Sequence, residues 1–350
     1  KEEDRMEHKL TGEEMYRKIN QKRRLTSLFT LIAILIALLF DLFIGSSGMS
    51  LKDIIVVLWE GPGVKSIETS IIWNIRLPMT LICLTVGASL GLAGTQMQTI
   101  LANPLASPYT LGVSSAAGFG AAIAFISGFP FKNMPWINAP FMAFMMTLTG
   151  TMAIYFLGKV KGMRAQSMVL FGIVTHFFFQ ALLSLVQFRS TPEVAGQIVY
   201  WMFGSLLKAT WVGVFASGFI FILCALLLSR YAWKLTALSA GEERAKSLGI
   251  DTDRVRLHVF LISSLLTAGA VAFVGTIGFI GLVAPHFARY FAGEDQRYLA
   301  PMASLFGVLL ITFASILAKL IIPGIIIPIG IVTSLVGVPF LVFLIIRKGV

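Results

Sequence analysis

Apolar residues run through this chain in blocks of bilayer length, separated by short polar segments, from Leu28 almost to the C-terminus. A bilayer core takes about 20 apolar residues per helix. The blocks predict ten membrane helices, near 28–44, 77–101, 109–129, 137–157, 166–187, 211–229, 257–276, 278–292, 299–321 and 328–346. The expected fold class is all-α, a polytopic bundle over 26–350 preceded by a polar, helix-prone tail over 1–25. Residues 257–292 form one unbroken block, which as a single helix would extend roughly 50 Å, far beyond a core of about 30 Å. The chain must turn back there, and Gly275, Gly278 and Gly281 mark where it can.

Composition strengthens this reading, since 57% of the 350 residues are hydrophobic and only 13% are charged. No single water-soluble core of this length needs so much apolar surface. The net charge of +11 comes from basic residues at the ends of apolar blocks. That is the pattern of membrane-surface electrostatics and excludes nucleic acid as the partner. With the N-terminus inside, ten crossings place every basic group on one side: Arg23 and Arg24; Lys159, Lys161 and Arg164; 230–256; Arg289 and Arg297; Arg347 and Lys348. A single crossing of 257–292 would put the last two groups outside. Both termini are therefore expected in the cytoplasm. The tail ends in Lys22, Arg23 and Arg24 and leads into an apolar run expected to stay in place, so no secretory leader is evident.

Candidate chemistry is sparse. Ion-coupled carriers usually keep an acid within the membrane, whereas Asp41, near the outer end of the first span, is the single Asp or Glu in any predicted span. That weakens the rival reading, an ion-coupled secondary transporter or channel. Cys83 and Cys224 read as packing residues, and His286 has no companion at metal-ligand spacing, so no metal site is expected. His176, Gln180 and Gln187 align broadly along one side of the fifth span, either lining a passage or bonding between helices. No phosphate-cradling G-x4-GK[ST] loop, Ser-His-Asp set or carboxylate pair occurs, so no catalytic residues are assigned. A faint internal echo joins Gly94-Thr95 and Pro104 to Gly275-Thr276 and Pro285 at the same offset, as inverted repeats would.

The longest polar stretch between spans, 230–256, contains GEERAKSLGI. Leu238, Ala245 and Leu248 share one helical face, Glu242, Glu243, Arg244 and Lys246 lie on others, and Gly249 sits where a helix would end. Adjacent acids suit a protein neighbour better than anionic lipid.

This segment resembles the cytoplasmic coupling loop of the iron-siderophore and vitamin B12 type ABC importer permeases, G-E-x-x-A-x-x-L-G. The resemblance continues in order along the chain: Arg76-Leu77-Pro78; Asn103-Pro104-Leu105-Ala106 with Leu111-Gly112-Val113; Trp201 with Gly204-Ser205; the run from Gly278 through Gly281 and Pro285 to His286; Pro328-Ile329-Gly330; and Gly337-Val338-Pro339-Phe340. It implies a ten-helix permease in a bacterial or archaeal cell membrane, paired with an identical or different second permease subunit. Two ATPase subunits would carry the ATP and Mg, with no cofactor on this chain, and an extracytoplasmic substrate-binding protein would dock on the far side. The implied cargo is an iron chelate, an iron-siderophore first, with vitamin B12, haem or molybdate as alternatives. The implied coupling residues are Glu242, Glu243, Arg244, Ala245, Ser247, Leu248 and Gly249; Asn103, Pro104, Gly278, Gly281 and Pro285 are structural. Arg76 and Lys319 inherit the docking of the binding protein. Departures thin that docking face: Met79 stands for a second Arg, Lys319 for an Arg, Ile326 for a Glu and Ser315 for an Asp.

Overall fold

A computed structural model describes residues 12–45, 48–131, 133–160, 164–322 and 324–348. Lys161 and residues 1–11 of the expected tail lie outside them. The helices are α1 (Gly12–Phe43), α2 (Leu51–Glu60), α3 (Ile67–Ile100), α4 (Val113–Ser127), α5 (Pro135–Val160), α6 (Ala165–Arg189) and α7 (Pro192–Met202). They continue as α8 (Trp211–Ser229), α9 (Ala232–Ser239), α10 (Glu242–Ser247), α11 (Thr252–Val274), α12 (Ile280–Ala292), α13 (Gln296–Leu320) and α14 (Ile329–Lys348). Among the described residues no strand forms beyond an isolated bridge between Ile322 and Ile325.

Each of the ten expected spans contains a helix, and 7 are long and apolar enough to cross a membrane. The short ones correct the expected boundaries. Helix α4 has 15 residues and α12 has 13, so they extend only about 23 and 20 Å. Each follows an irregular stretch, 101–112 or 275–279, that supplies the missing depth. The turn falls at Gly275 (φ 80°), as expected, but the helix resumes only after Phe279 (φ 66°). Irregular backbone at membrane depth survives where protein buries it or where it lines a cavity; these two stretches meet on one side, while Pro104, Leu105, Tyr109 and Thr110 stay exposed in the single chain. The Tyr109 ring is the nearest neighbour of Gly278, and Pro108 lies beside Gly281.

Helix α3 is the centre of the bundle, buried at every position from 86 to 100 and packed by α1, α8, α11, α12 and α13. With lipid outside, helices gain by approaching backbone to backbone, which requires small residues at the crossings. A Cβ added at Gly94 would overlap the Gly281 carbonyl of α12, and one at Gly91 would overlap Ala303 of α13. Gly94→Leu should therefore cut the monodisperse peak in detergent size-exclusion chromatography by about tenfold or more. Gly196→Leu, where a Cβ meets nothing within 4 Å, should leave it unchanged.

Arg23, Arg256, Arg289 and Arg297 lie toward one end, called here the basic end. Arg23 lies 4.5 Å over the Tyr298 ring at the start of α13. Arg289 donates to Gln98 Oε1 at 2.8 Å, and Ala165 lines the same cavity as Arg256 and Arg289. The ten-residue echo does not mark equivalent positions: Gly94-Thr95 and Pro285 lie inside helices, Gly275-Thr276 and Pro104 outside them. What recurs is a long helix, a break and a short helix. Cys83 and Cys224 are free and buried.

Candidate functional site

At the basic end the chain from α9 to α11 folds into three short-spaced helices around the stretch GEERAKSLGI. Helix α10 starts after Gly241 (φ 122°) and runs for only 6 residues. Its end is built by Gly249 in the left-handed region (φ 77°), with Ile250 N–H donating to Ala245 O at 3.1 Å and Gly249 N–H to Lys246 O at 2.9 Å. This pair of bonds closes the helix on itself. The expected apolar face is split: Ala245 and Leu238 are buried, but Leu248 is 64% exposed. Six residues give too little length for a stripe to stay turned toward the bundle, so Ala245 anchors the helix and Leu248 projects. Glu243, Arg244, Lys246 and Ser247 are exposed as well.

What holds α10 to the bundle is Arg256, which sequence reasoning missed. Its side chain is 2% exposed. Nε donates to Ile100 O at the end of α3 (2.9 Å), Nη2 to Glu242 Oε2 (2.9 Å) and Nη1 to Asp253 Oδ1 (3.2 Å). One planar guanidinium thus bonds to the end of α3 and to the starts of α10 and α11, which a fork of fixed donors allows and an ammonium would not. Hydrogen bonds from Lys246 and Arg256 hold the Glu242 carboxyl below its ordinary value. Beside this junction opens a cavity of about 390 Å³ lined by Gln98, Asn103, Pro104, Glu242, Arg256 and Arg289. Asn103 Oδ1 accepts from Leu105 N–H at 2.9 Å, fixing the turn that carries Pro104 to this rim. The sequence signal for Arg256, a cation two residues after Arg254 at the head of an apolar block, is shared by many snorkelling arginines.

At the opposite end lie the two cations expected to dock the binding protein. Lys319 is not presented outward: its side chain is 2% exposed and Nζ donates to Asp41 Oδ1 at 2.7 Å and Asp41 O at 2.6 Å. Asp41 is fully buried and also accepts from Thr80 Oγ1 at 2.5 Å. Arg76 is 5% exposed, with Nη1 donating to the Leu42 and Phe43 carbonyls at 3.2 Å each. A buried carboxylate needs opposite charge at hand, and here both cations meet that need around the end of α1. The hydroxyl of Ser315, where the resemblance leads one to expect the acid, is buried without a hydrogen-bond partner. Asp41 therefore supplies from α1 the charge that α13 lacks.

The polar stripe of α6 divides. His176 Nδ1 lies 2.6 Å from Ser115 Oγ of α4, an interhelical bond, whereas Gln180 is exposed beside Phe177 and Phe178 and Gln187 is half-buried. Motifs far apart in sequence converge nearby. Gly330 N–H donates to Phe203 O at 3.0 Å, Ser205 N–H to Val274 O at 2.7 Å, and Thr276 Oγ1 to Met202 O. Gly281 packs on Gly94, and Pro285 lies within α12. Among the described residues no group of three or more His, Cys, Asp or Glu is placed to hold a metal ion.

The described residues thus form a helical bundle with broken helices and a projecting helix at one end. The profile of the FecCD transport family matches residues 32–347. A protein of Methanocaldococcus jannaschii named as an ABC transporter permease is 37% identical over 340 residues, covering 95% of this chain and 97% of that one. The Fe(3+)-citrate import system permease protein YfmD of Bacillus subtilis is 32% identical over 332 residues, covering 94% and 96%. Other relatives are named for molybdate and vitamin B12 import. A solved structure described as an inward-facing metal-chelate type ABC transporter superposes with a TM-score of 0.77 at 30% identity, over 91% of this chain and 98% of that one. The chain belongs to the FecCD transport family: it is a multi-pass membrane permease of the ABC importer type, a transport subunit and not an enzyme.

Proposed function

We propose that the chain carries an iron chelate, specifically an iron-siderophore, into the cytoplasm as one half of a permease pair driven by two ATPase subunits. The observation that carries this reading is α10. It is a helix too small to be needed for the core, held by one buried arginine to the end of the central helix α3, and it projects Leu248 and a set of charges outward. A push on such a helix reaches α3 through Arg256 with few soft links. That geometry supports the coupling roles that the resemblance implies for Glu242, Glu243, Arg244, Ala245, Ser247, Leu248 and Gly249. ATP and Mg belong to the ATPase partners, and the basic end with both termini faces the cytoplasm.

The passage runs between two permease subunits, the same or different, along the outward face of α6, where Phe177 and Gln180 are exposed beside the half-buried Gln187 and His176. This wall offers few polar groups, which suits a bulky chelate released by an extracytoplasmic binding protein that supplies the selectivity. The relatives named for molybdate and vitamin B12 favour a second reading, another metal-containing cargo in the same passage.

The permease reconstituted in vesicles with its ATPases and binding protein should accumulate a radio-iron siderophore only when ATP is supplied. Collapsing the ion gradients should leave that uptake unchanged. Uptake that persists without the ATPases would refute the proposal, and ATP-driven uptake of vitamin B12 or molybdate in place of iron would select the second reading.

A further inference from the structure

Helix α2 presents three different surfaces around its axis. Ile54 and Val57 are buried, with Leu58 beside them, against Ile72 and Trp73 of α3 and Phe43 at the end of α1. Leu51, Ile55 and Trp59, spaced four residues apart on a neighbouring face, are all exposed, Trp59 at 91%. Lys52, Val56 and Glu60, at the same spacing, form a third face that is exposed and mostly polar. Asp53, on the polar side, is committed to a capping box: its carboxylate accepts from Ser50 N–H at 3.0 Å, and Ser50 Oγ accepts from Asp53 N–H at 3.3 Å. Protein covers the first face and water suits the third, which leaves the apolar stripe in need of another medium.

The depth of α2 identifies that medium. Helix α8 has 19 residues, a rise of about 28 Å that just crosses a bilayer core. Its first residue, Trp211, therefore marks one boundary of the core. Trp211 Nε1 donates to Trp73 O at 2.9 Å, and Trp73 Nε1 donates to Val57 O at 3.3 Å. Two indole links thus tie α2 to that boundary. There Trp211 stacks on Phe215 with ring centroids 5.9 Å apart, and Phe215 and Phe219 continue as an exposed, charge-free wall down α8. Tryptophan collects at this level because its ring favours the acyl chains and its N–H the polar layer above them.

We propose that α2 is an interfacial helix, with Leu51, Ile55 and Trp59 sunk into the edge of the acyl chains and the face of Lys52, Val56 and Glu60 turned to water. The Trp59 N–H donates to lipid ester carbonyls, and no charged headgroup is required. A docking protein fits the stripe less well. Such a partner leaves between cycles and would return two aliphatic side chains and a tryptophan to water each time, whereas lipid is always present. With Asp53 committed to its cap, the charges left on α2 are Lys52 and Glu60, which cancel and offer a partner no net charge to match. The depth follows from the links to α8; only the naming of the leaflet as the outer one rests on the topology proposed above.

The test places a nitroxide on the full chain in phosphatidylcholine nanodiscs through Ile55→Cys, Trp59→Cys, Val56→Cys or Glu60→Cys, one at a time. All four side chains are exposed, so the label leaves the packing of α2 intact, and the unmutated chain, whose Cys83 and Cys224 are buried, sets the background. Relaxation by lipid-soluble oxygen is compared with relaxation by a water-soluble nickel chelate. The oxygen-to-nickel ratio should be higher by about fivefold or more at Ile55→Cys and Trp59→Cys than at Val56→Cys and Glu60→Cys. Val56 is itself apolar, so the comparison reads the face and not the residue type. Nickel reaching all four positions equally would overturn the proposal and leave the stripe to a docking protein. Shielding of Ile55→Cys and Trp59→Cys from both reagents would overturn it in favour of a second copy of this chain. Neither ATPases nor cargo are present, so failure here leaves the importer reading standing.

Discussion

Gly249→Pro abolishes ATP-driven uptake while the permease still assembles with ATPases that hydrolyse ATP. Proline cannot adopt a φ of 77° and has no N–H to donate to Lys246 O, so both features that end α10 are lost at once. The damage stays local because only Ala245 of this helix is buried in the bundle, and a peripheral six-residue helix opens without the rest. Glu243→Arg reaches the same result by another route, reversing a charge on the exposed surface without touching the fold. Arg256→Met separates the two halves of the linkage: α10 is present but no longer bonded to Ile100 O. Uptake and ATP hydrolysis measured on the same vesicles should show uptake falling by about 100-fold or more in all three, with hydrolysis kept within several-fold. Normal coupling in both Gly249→Pro and Glu243→Arg would remove α10 from the mechanism.

Lys319→Ala should lower thermal stability in detergent or nanodiscs by about 3 kcal/mol, because it leaves the Asp41 carboxylate buried with only Thr80 and the more distant Arg76 to compensate. The single change is costly because a lone charge stays in a dry site, and the pair itself adds little net stability. The double variant Asp41→Asn with Lys319→Met should therefore recover most of the loss, as both charges leave together. Equal destabilisation by the single and double variants would show that Lys319 acts through packing alone. If Lys319 instead docked the binding protein, Lys319→Ala would weaken that association and leave the unfolding temperature unchanged.

How much of this was legible beforehand depends on what each residue's role rests on. The ten apolar blocks and the turn at Gly275 follow from local hydrophobicity and backbone chemistry, and a helix lies within each block, 7 of those described being long and apolar enough to cross a membrane. The short lengths of α4 and α12 were not legible, since the apolar blocks run on through 109–112 and 278–279 and local hydrophobicity does not show where each helix begins. The stretch GEERAKSLGI announced a helix and its Gly249 end, but the split between buried Ala245 and projecting Leu248 depended on how the helix sits on the bundle. Lys319 reads as a docking cation because the resemblance expects an Arg there; its partner is 278 positions away on α1.

The chain by itself determined that it is a membrane bundle, which end carries the charge, which segments are helical and where the one charged helix between spans stops. These are consequences of hydrophobic length, of the positive-inside bias and of glycine's access to positive φ. Only the tertiary structure decided which polar groups meet: Arg256 with Ile100 and Glu242, and Lys319 with Asp41. Such pairings depend on distances between helices far apart in the chain, and inside a bundle the cost of an unmatched polar group makes those distances decisive.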